Sequence, residues 1–399
     1  MSGARERQRP ACWPTPLEDL LLRAALLPSQ QALEAWERWQ QATVGAALDP
    51  ASWRLLPLLY RNLLASGVEA QSLQPYRRVY ERTWAENQFM FEHAAALARK
   101  LETANIDALF LKGVALAHAF YADPALRPMS DIDILIRPQQ TAAATAVCRQ
   151  LGWHPLFEPS DLFPFDQGVH FTLGSEFQLD LHWRAFWEFR PRISDEILWD
   201  QPVSFQIGAT PLRSFNATAL LLHVCVHGTQ RGELSPIRWV ADAMTILRSQ
   251  HAVDWNMMVD HAAHRGYTLH MFDTLRYLRQ TLDAPVPGAV LEDLQKIPST
   301  SFGRLLYRAQ CSRNEMFRTV LWWTLIAPLR AGSTIPWRER GTALHRYLRA
   351  KWGFESKRSM PVQAVVRLSR RLLRSAARLW QWQAARPPRL SRSQSAGKS

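Results

Sequence analysis

The sequence predicts an α+β fold, with a small mixed sheet set between two helical regions. Three observations lead there. Apolar residues recur at helical spacing, three and four apart, through residues 15–105. Short apolar and alternating runs then mix with helical stretches between about 106 and 184. Beyond Asn216 the helical spacing returns and continues to about residue 355.

Residues 1–14 read as a flexible N-terminus, and residues 15–105 as an N-terminal helical region. In the latter, "PLEDLLLRAALL" and "QQALEAWERWQQA" are followed by "ASWRLLPLLYRNLLASG", where Gly67 offers a helix stop. A long amphipathic helix is expected from about Pro75 to Ala104. Residues 106–215 form the α/β core of this reading. "IDALFL" is a short strand ending at Lys112-Gly113, and a helical "VALAHAFY" follows it. "DIDILI" is a second strand, closed by Arg137-Pro138 and followed by a helix through Leu151. "VHFTL" and "FQLDLHW" alternate on either side of Gly174-Ser175-Glu176, the length of a hairpin loop. Residues 216–355 are expected to be helical, from "ATALLLHVCVHGTQ" and "PIRWVADAMTILRS" onward. Residues 356–399 read as a basic amphipathic helix and a disordered Pro-, Arg- and Ser-rich tail. No internal repeat is visible.

Composition narrows the class. The 399 residues include 17 Trp, which suit packing between helices. Four cysteines stand singly at Cys12, Cys148, Cys225 and Cys311, so neither a zinc ribbon nor a disulfide scaffold is indicated. Glu18, Asp19 and Arg23 interrupt any signal-peptide core, and "VLWWTLIAPL" (320–329) is too short to span a bilayer. A cytoplasmic location is expected. Of the net charge of +13, the segment from Lys357 onward holds eleven Lys or Arg and no acid, which leaves about +2 elsewhere. Basicity therefore belongs to the tail. There Val362, Val365, Val366, Leu372, Leu373, Leu379 and Trp380 recur at helical spacing, with Arg367, Arg370, Arg371, Arg374 and Arg378 mainly on the other face. Such a helix suits an anionic membrane surface, a nucleic acid, or simple docking with a solvated basic face.

The chemistry concentrates in "FLKGVALAHAFYADPALRPMSDIDILI". Alternate strand residues share a face, so Asp131 and Asp133 point the same way. By the same rule Glu176, Gln178, Asp180 and His182 share one face of the later strand. If the two strands are neighbours, Asp180 meets the first pair, with Glu176 as a rival on its face. Three carboxylates then suit two hard divalent cations, Mg²⁺ or Mn²⁺, which can activate an attacking oxygen and stabilise a leaving one. Upstream, a strand ending in Lys112-Gly113 and opening a helix offers a place for phosphate. Gly113 permits close approach, while Lys112 and Arg127 are candidates to neutralise the charge.

"LKG", "RPMSDIDIL" and "LDLHW" together resemble the bacterial uncharacterised nucleotidyltransferase family of the polymerase-β-like nucleotidyltransferase superfamily. "LLPLLYRNL", "LLLHVCVHG" and "IRWVADAMTIL" extend the resemblance over roughly residues 50–250. It implies a nucleotidyltransferase core at the sheet, with an NTP as substrate and an acceptor hydroxyl on a small molecule, protein or RNA. It also implies Asp131, Asp133 and Asp180 as catalytic metal ligands, and Lys112, Gly113, Arg127 and Ser130 as nucleotide contacts. Lys112-Gly113-Val114 stands where the wider superfamily has Gly-Ser or Gly-Gly, and eighteen residues separate Gly113 from Asp131, a long step.

Five further residues are candidates to line the cleft. His182 shares the face of Asp180 and reads as a base, a substrate contact or a packing group. His223 and His227 lie four apart on a helix, but Val224 stands where a zinc-protease helix carries glutamate. With Asp242 they also outline a phosphohydrolase-type His/Asp site. In the resembled family the matching positions, with Arg238, line the cleft or pair helices. Two other function classes remain in view: a catalytically degenerate fold that binds a nucleotide or partner, and an adaptor acting through the basic tail.

Overall fold

The computed structural model describes residues 10, 12–45, 47–163, 165–186, 195–230, 237–312 and 337–352. The chain divides into two compact units, residues 1–340 and 341–399. The 320–329 run and the 356–399 tail singled out in the sequence lie outside the described residues.

Five helices come first: α1 (Pro16–Leu26), α2 (Ser29–Thr43), α3 (Pro50–Trp53), α4 (Leu56–Ala65) and the long α5 (Gln74–Thr103). Local chemistry fixes their starts. Thr15 and Glu18 form a reciprocal capping box on α1, and Asp49 accepts from the backbone N–H of Ala51 and Ser52 to open α3.

The chain then builds β1 (Ala108–Leu111), a short α6 (Lys112–Ala115) running on as a π turn (Leu116–Phe120), and β2 (Asp131–Ile136). After α7 (Thr141–Gln150), β3 (His154–Pro155) and α8 (Pro159–Leu162) come β4 (Gly168–Leu173) and β5 (Phe177–His182). The sheet order is β1-β2-β5-β4-β3. Only the β2–β5 pair is parallel, so the sheet is mixed as the sequence predicts. In β2 every residue after Asp131 is buried, which explains the unbroken apolar run around Asp133. A separate hairpin of β6 (Val203–Ile207) and β7 (Thr210–Ser214) packs near β1, in a stretch where the sequence reading assigns no strand.

Helices resume with α9 (Ala217–Thr229), α10 (Arg238–Arg248), α11 (Trp255–Arg265), α12 (Thr268–Leu282), α13 (Gly288–Lys296) and α14 (Ser301–Cys311). A last described helix, α15 (Trp337–Trp352), lies mostly in the second unit. Every residue of α9 is buried except His227. A helix apolar on all sides belongs inside a core, and here one core joins Leu220, Leu221 and Val224 to Leu109, Leu111 and Leu135 of the sheet and to Leu55, Leu56 and Leu59 of the first helices. Gly228 lets α10 come close: a Cβ there would sit 2.1 Å from Trp239 Cγ. Among the described residues no helix is long and apolar enough to cross a membrane.

Candidate active site

The site begins where β1 stops. Lys112 takes φ 39°, left-handed and costly for a residue with a side chain. From that turn its Nζ donates to Asp133 Oδ1 at 3.0 Å. Gly113 follows, where a side chain would be tightly crowded. A Cβ there would lie 3.2 Å from Met129 Sδ and 3.3 Å from the Asp131 carbonyl oxygen.

Register does the rest. In the parallel β2–β5 pair, Asp133 stands opposite Asp180. Glu176, the rival acid, sits exposed in the hairpin turn. His182, two residues beyond Asp180, places Nε2 3.0 Å from Asp133 Oδ1, so one buried carboxylate oxygen meets both the Lys112 ammonium and an imidazole. Burial alone raises the Asp133 carboxyl. Lys112 and then His182 outweigh it and hold the group well below the usual carboxylate range. Asp131, half-buried, is raised instead, by burial first and then by the charge of Asp133. Ser130 Oγ donates to Asp131 Oδ1 at 3.3 Å, and Asp180 is paired with His170 Nδ1 on the neighbouring strand.

Ligand atoms of Asp133, Asp180 and His182 lie within 4.8 Å of one another. Two carboxylates and an imidazole, with Asp131 adjacent on the same strand, fit a divalent cation.

A cavity of about 220 Å³ opens beside these acids. Of the residues singled out in the sequence, Lys112, Gly113, Arg127, Ser130, Asp131 and Asp133 line it from the sheet side. His227, Arg238 and Asp242 line it from α9 and α10. Asp180 and His182 are not among the residues that line it. His223 lies deeper, edge-on to Phe186 and Phe215, with Nδ1 buried and unpartnered. Burial and then Lys112 hold the His223 imidazole well below its ordinary pKa, whereas for His227 the Lys112 ammonium is the main cause that pushes it down to about 3. Both are neutral at pH 7.

Arg127 is buried and grips Asp242 through Nε and Nη2, at 2.8 and 2.9 Å. Tyr121 Oη donates to the same carboxylate at 2.8 Å, and Asn87 Nδ2 donates to the Arg127 carbonyl at 3.0 Å. Arg127 Nη1 is left buried without a partner, and a Cβ on Gly113 would stand 3.5 Å from it. Arg238 Nη1 donates to the Pro128 carbonyl at 2.7 Å. Burial, then the neighbouring Arg127, push the Arg238 guanidinium down to about 10.

Two charged or aromatic lining residues have no signal in the sequence. Arg54 follows α3, far from the acids along the chain, and Trp239 reads simply as a packing group. The fold alone brings them here.

The model of a family described as "Uncharacterised nucleotidyltransferase" matches residues 51–283, more than half of the chain. No curated protein matches. Similar solved structures include the antibiotic-resistance factor ANT(2'')-Ia in solution, 19% identical, covering 41% of this chain and 85% of that one with a TM-score of 0.30. An antigenic nucleotidyltransferase-like protein from Paracoccidioides brasiliensis is 16% identical, covering 51% of this chain and 96% of that one with a TM-score of 0.33.

Proposed function

Because the chain belongs to the uncharacterised nucleotidyltransferase family, we propose that it moves a nucleoside monophosphate from an NTP to an acceptor hydroxyl and releases pyrophosphate. The observation that carries this reading is the facing of Asp133 and Asp180 across two parallel strands, beside a cavity with a cationic wall. Asp131, Asp133 and Asp180 would hold Mg²⁺ or Mn²⁺, with His182 as a nitrogen donor beside them. When bound, the cation supplies positive charge that activates the hydroxyl and stabilises the departing pyrophosphate.

The chain's own residues bind and orient. Lys112, the unpartnered Nη1 of Arg127, and Arg238 face the phosphates across the cavity, and Gly113 lets them come close. Ser130 steadies Asp131. Asp180 completes the carboxylate set on the side of the acceptor hydroxyl. His223 and His227, neutral and off the acid cluster, serve as packing and lining rather than as zinc ligands. We assign the acceptor no class among small molecules, proteins and RNA, and take the reaction to be cytoplasmic, where NTPs are supplied.

Incubation with labelled NTPs, Mg²⁺ or Mn²⁺ and candidate acceptors tests the reading. Metal-dependent transfer is expected, and activity that survives Asp131→Ala and Asp133→Ala sinks the site. A second reading has its own observation: Asp133 Oδ1 is already shared by two internal donors, as suits a fold that keeps nucleotide binding without chemistry. ATP calorimetry separates the two. Binding that needs Mg²⁺ supports the catalytic site, and binding indifferent to Mg²⁺ supports the degenerate one.

A further inference from the structure

The cavity wall carries more positive charge than its acids answer. Four cations line it: Arg54, Lys112, Arg127 and Arg238. Lys112 pairs with Asp133, and Arg127 with Asp242. Asp131 alone remains for the other two. The Arg54 side chain forms no hydrogen bond or ion pair with any described residue, although it lies close enough to Arg238 to help push that guanidinium down. Guanidinia gathered without counter-ions repel one another, so the arrangement favours an anion between them.

Arg54 is also held firmly. Asp49 caps the two backbone N–H groups before Trp53, and Ser52 Oγ donates to Asp49 Oδ2 at 2.6 Å. The Arg54 N–H donates back to the carbonyls of Ala51 and Ser52. Ala51 and Leu55 on either side are buried in the common core. The backbone is pinned and the half-buried side chain is presented to the cavity. A second observation points to the same ligand: Arg127 is 2% exposed, yet its Nη1 has no partner on this wall. A buried guanidinium N–H left unpaired is costly unless something accepts from it.

We propose that Arg54 binds the phosphate chain of the nucleotide, so that the N-terminal helices, the sheet and α10 each contribute one part of a single polyphosphate cradle. This rests on the nucleotide reading above and adds a residue from outside the α/β core. The expected occupant is the β,γ-phosphate portion, because a guanidinium fork matches non-bridging phosphate oxygens and makes no demand on the base.

The test uses the full chain and two probes, Mg-ATP and inorganic tripolyphosphate with Mg²⁺, titrated by calorimetry. Arg54→Gln should weaken both by about tenfold to a hundredfold, and Arg54→Glu should weaken them further. Arg54→Lys should lie between wild type and Arg54→Gln. This charge order, with the thermal midpoint of the free protein recorded alongside, separates lost contact from lost fold. Wild-type affinity for both probes in Arg54→Gln overturns the proposal. Equal losses in the Lys, Gln and Glu variants also overturn it, as does weakening toward Mg-ATP with tripolyphosphate unaffected. If the wild-type protein binds neither probe, the nucleotide reading itself fails and this proposal falls with it.

Discussion

Arg127 and Asp242 meet through two hydrogen bonds, at side-chain exposures of 2% and 6%. Lys112 and Asp133 meet through one, with the lysine 17% exposed. Both pairs line the same cavity, but they are built for different duties. The first is a planar fork on a carboxylate, with Tyr121 as a third donor and Asn87 fixing the backbone of the arginine. Nothing in it turns without breaking several bonds. The second is a point charge on a flexible stem, sharing its oxygen with His182. Such an ammonium can trade a carboxylate for a phosphate, which a bidentate guanidinium cannot do cheaply. One pair frames the site, and the other is free to take part in it.

The largest expected effect breaks the frame. Arg127→Met leaves Asp242 buried with Tyr121 as its remaining side-chain donor, and removing one partner of a buried pair costs about 3–5 kcal/mol. Urea unfolding measures it, and a loss under about 1 kcal/mol would show that the pair is not the frame. Asp133→Asn comes next, since it removes the charge while keeping the shape. Transfer should fall about 10²–10³-fold, the scale for losing one preorganised electrostatic group, while the protein stays folded. Near-wild-type turnover in the labelled-NTP assay would move the chemistry away from β2.

These expectations differ in how far the sequence alone reaches them. The α+β fold was legible because β4 and β5 announce themselves by period-two alternation on either side of a hairpin-length gap, and β1 and β2 by short apolar runs among helices. The same alternation sets Asp131 and Asp133 together and brings Asp180 opposite once the strands are paired. Arg127 shows the limit. A basic residue just before an Asp-x-Asp strand reads as a phosphate contact, yet two of its three nitrogens belong to Asp242, 115 residues away. Arg54 is further out of reach, because it sits in "ASWRLLPLLY" as one more polar position of a helical pattern. Its place at the cavity depends on the end of α3 meeting residues of the sheet, α9 and α10 around one cavity, a tertiary fact without local signature. The β6–β7 hairpin escaped for another reason. Pro211, the second residue of β7, and the polar outer face dilute the strand pattern of a two-stranded element.

Lys112→Met sharpens the comparison at intermediate size. It removes one donor from Asp133 Oδ1 but leaves His182 on the same oxygen, so the stability loss should stay below about 2 kcal/mol, under that of Arg127→Met. Binding of Mg-tripolyphosphate should weaken about tenfold with the loss of one phosphate-facing charge. The reverse order, a larger unfolding penalty for Lys112→Met than for Arg127→Met, would exchange the roles given to the two pairs.

The smallest effect is read through pH. His223 is buried behind Lys112, and burial followed by that ammonium holds its imidazole neutral in the folded protein. In the unfolded chain it titrates near an ordinary value of about 6.5. Below that pH the unfolded state takes up a proton that the native state refuses, so folding stability falls as pH drops from about 6.5 toward the depressed native pKa. Above about 6.5 the group is neutral in both states and contributes no slope. Replacing it with a non-titrating residue of similar bulk, His223→Leu, removes this term, and the edge-on contacts with Phe186 and Phe215 can be kept by an apolar side chain. Urea midpoints of His223→Leu should therefore decline less than those of wild type between pH 6.5 and about pH 4.5, with no difference in slope between pH 7 and 8. Parallel curves through the acid range would mean that His223 takes up its proton in the folded state, and that the charge of Lys112 is spent on Asp133 alone.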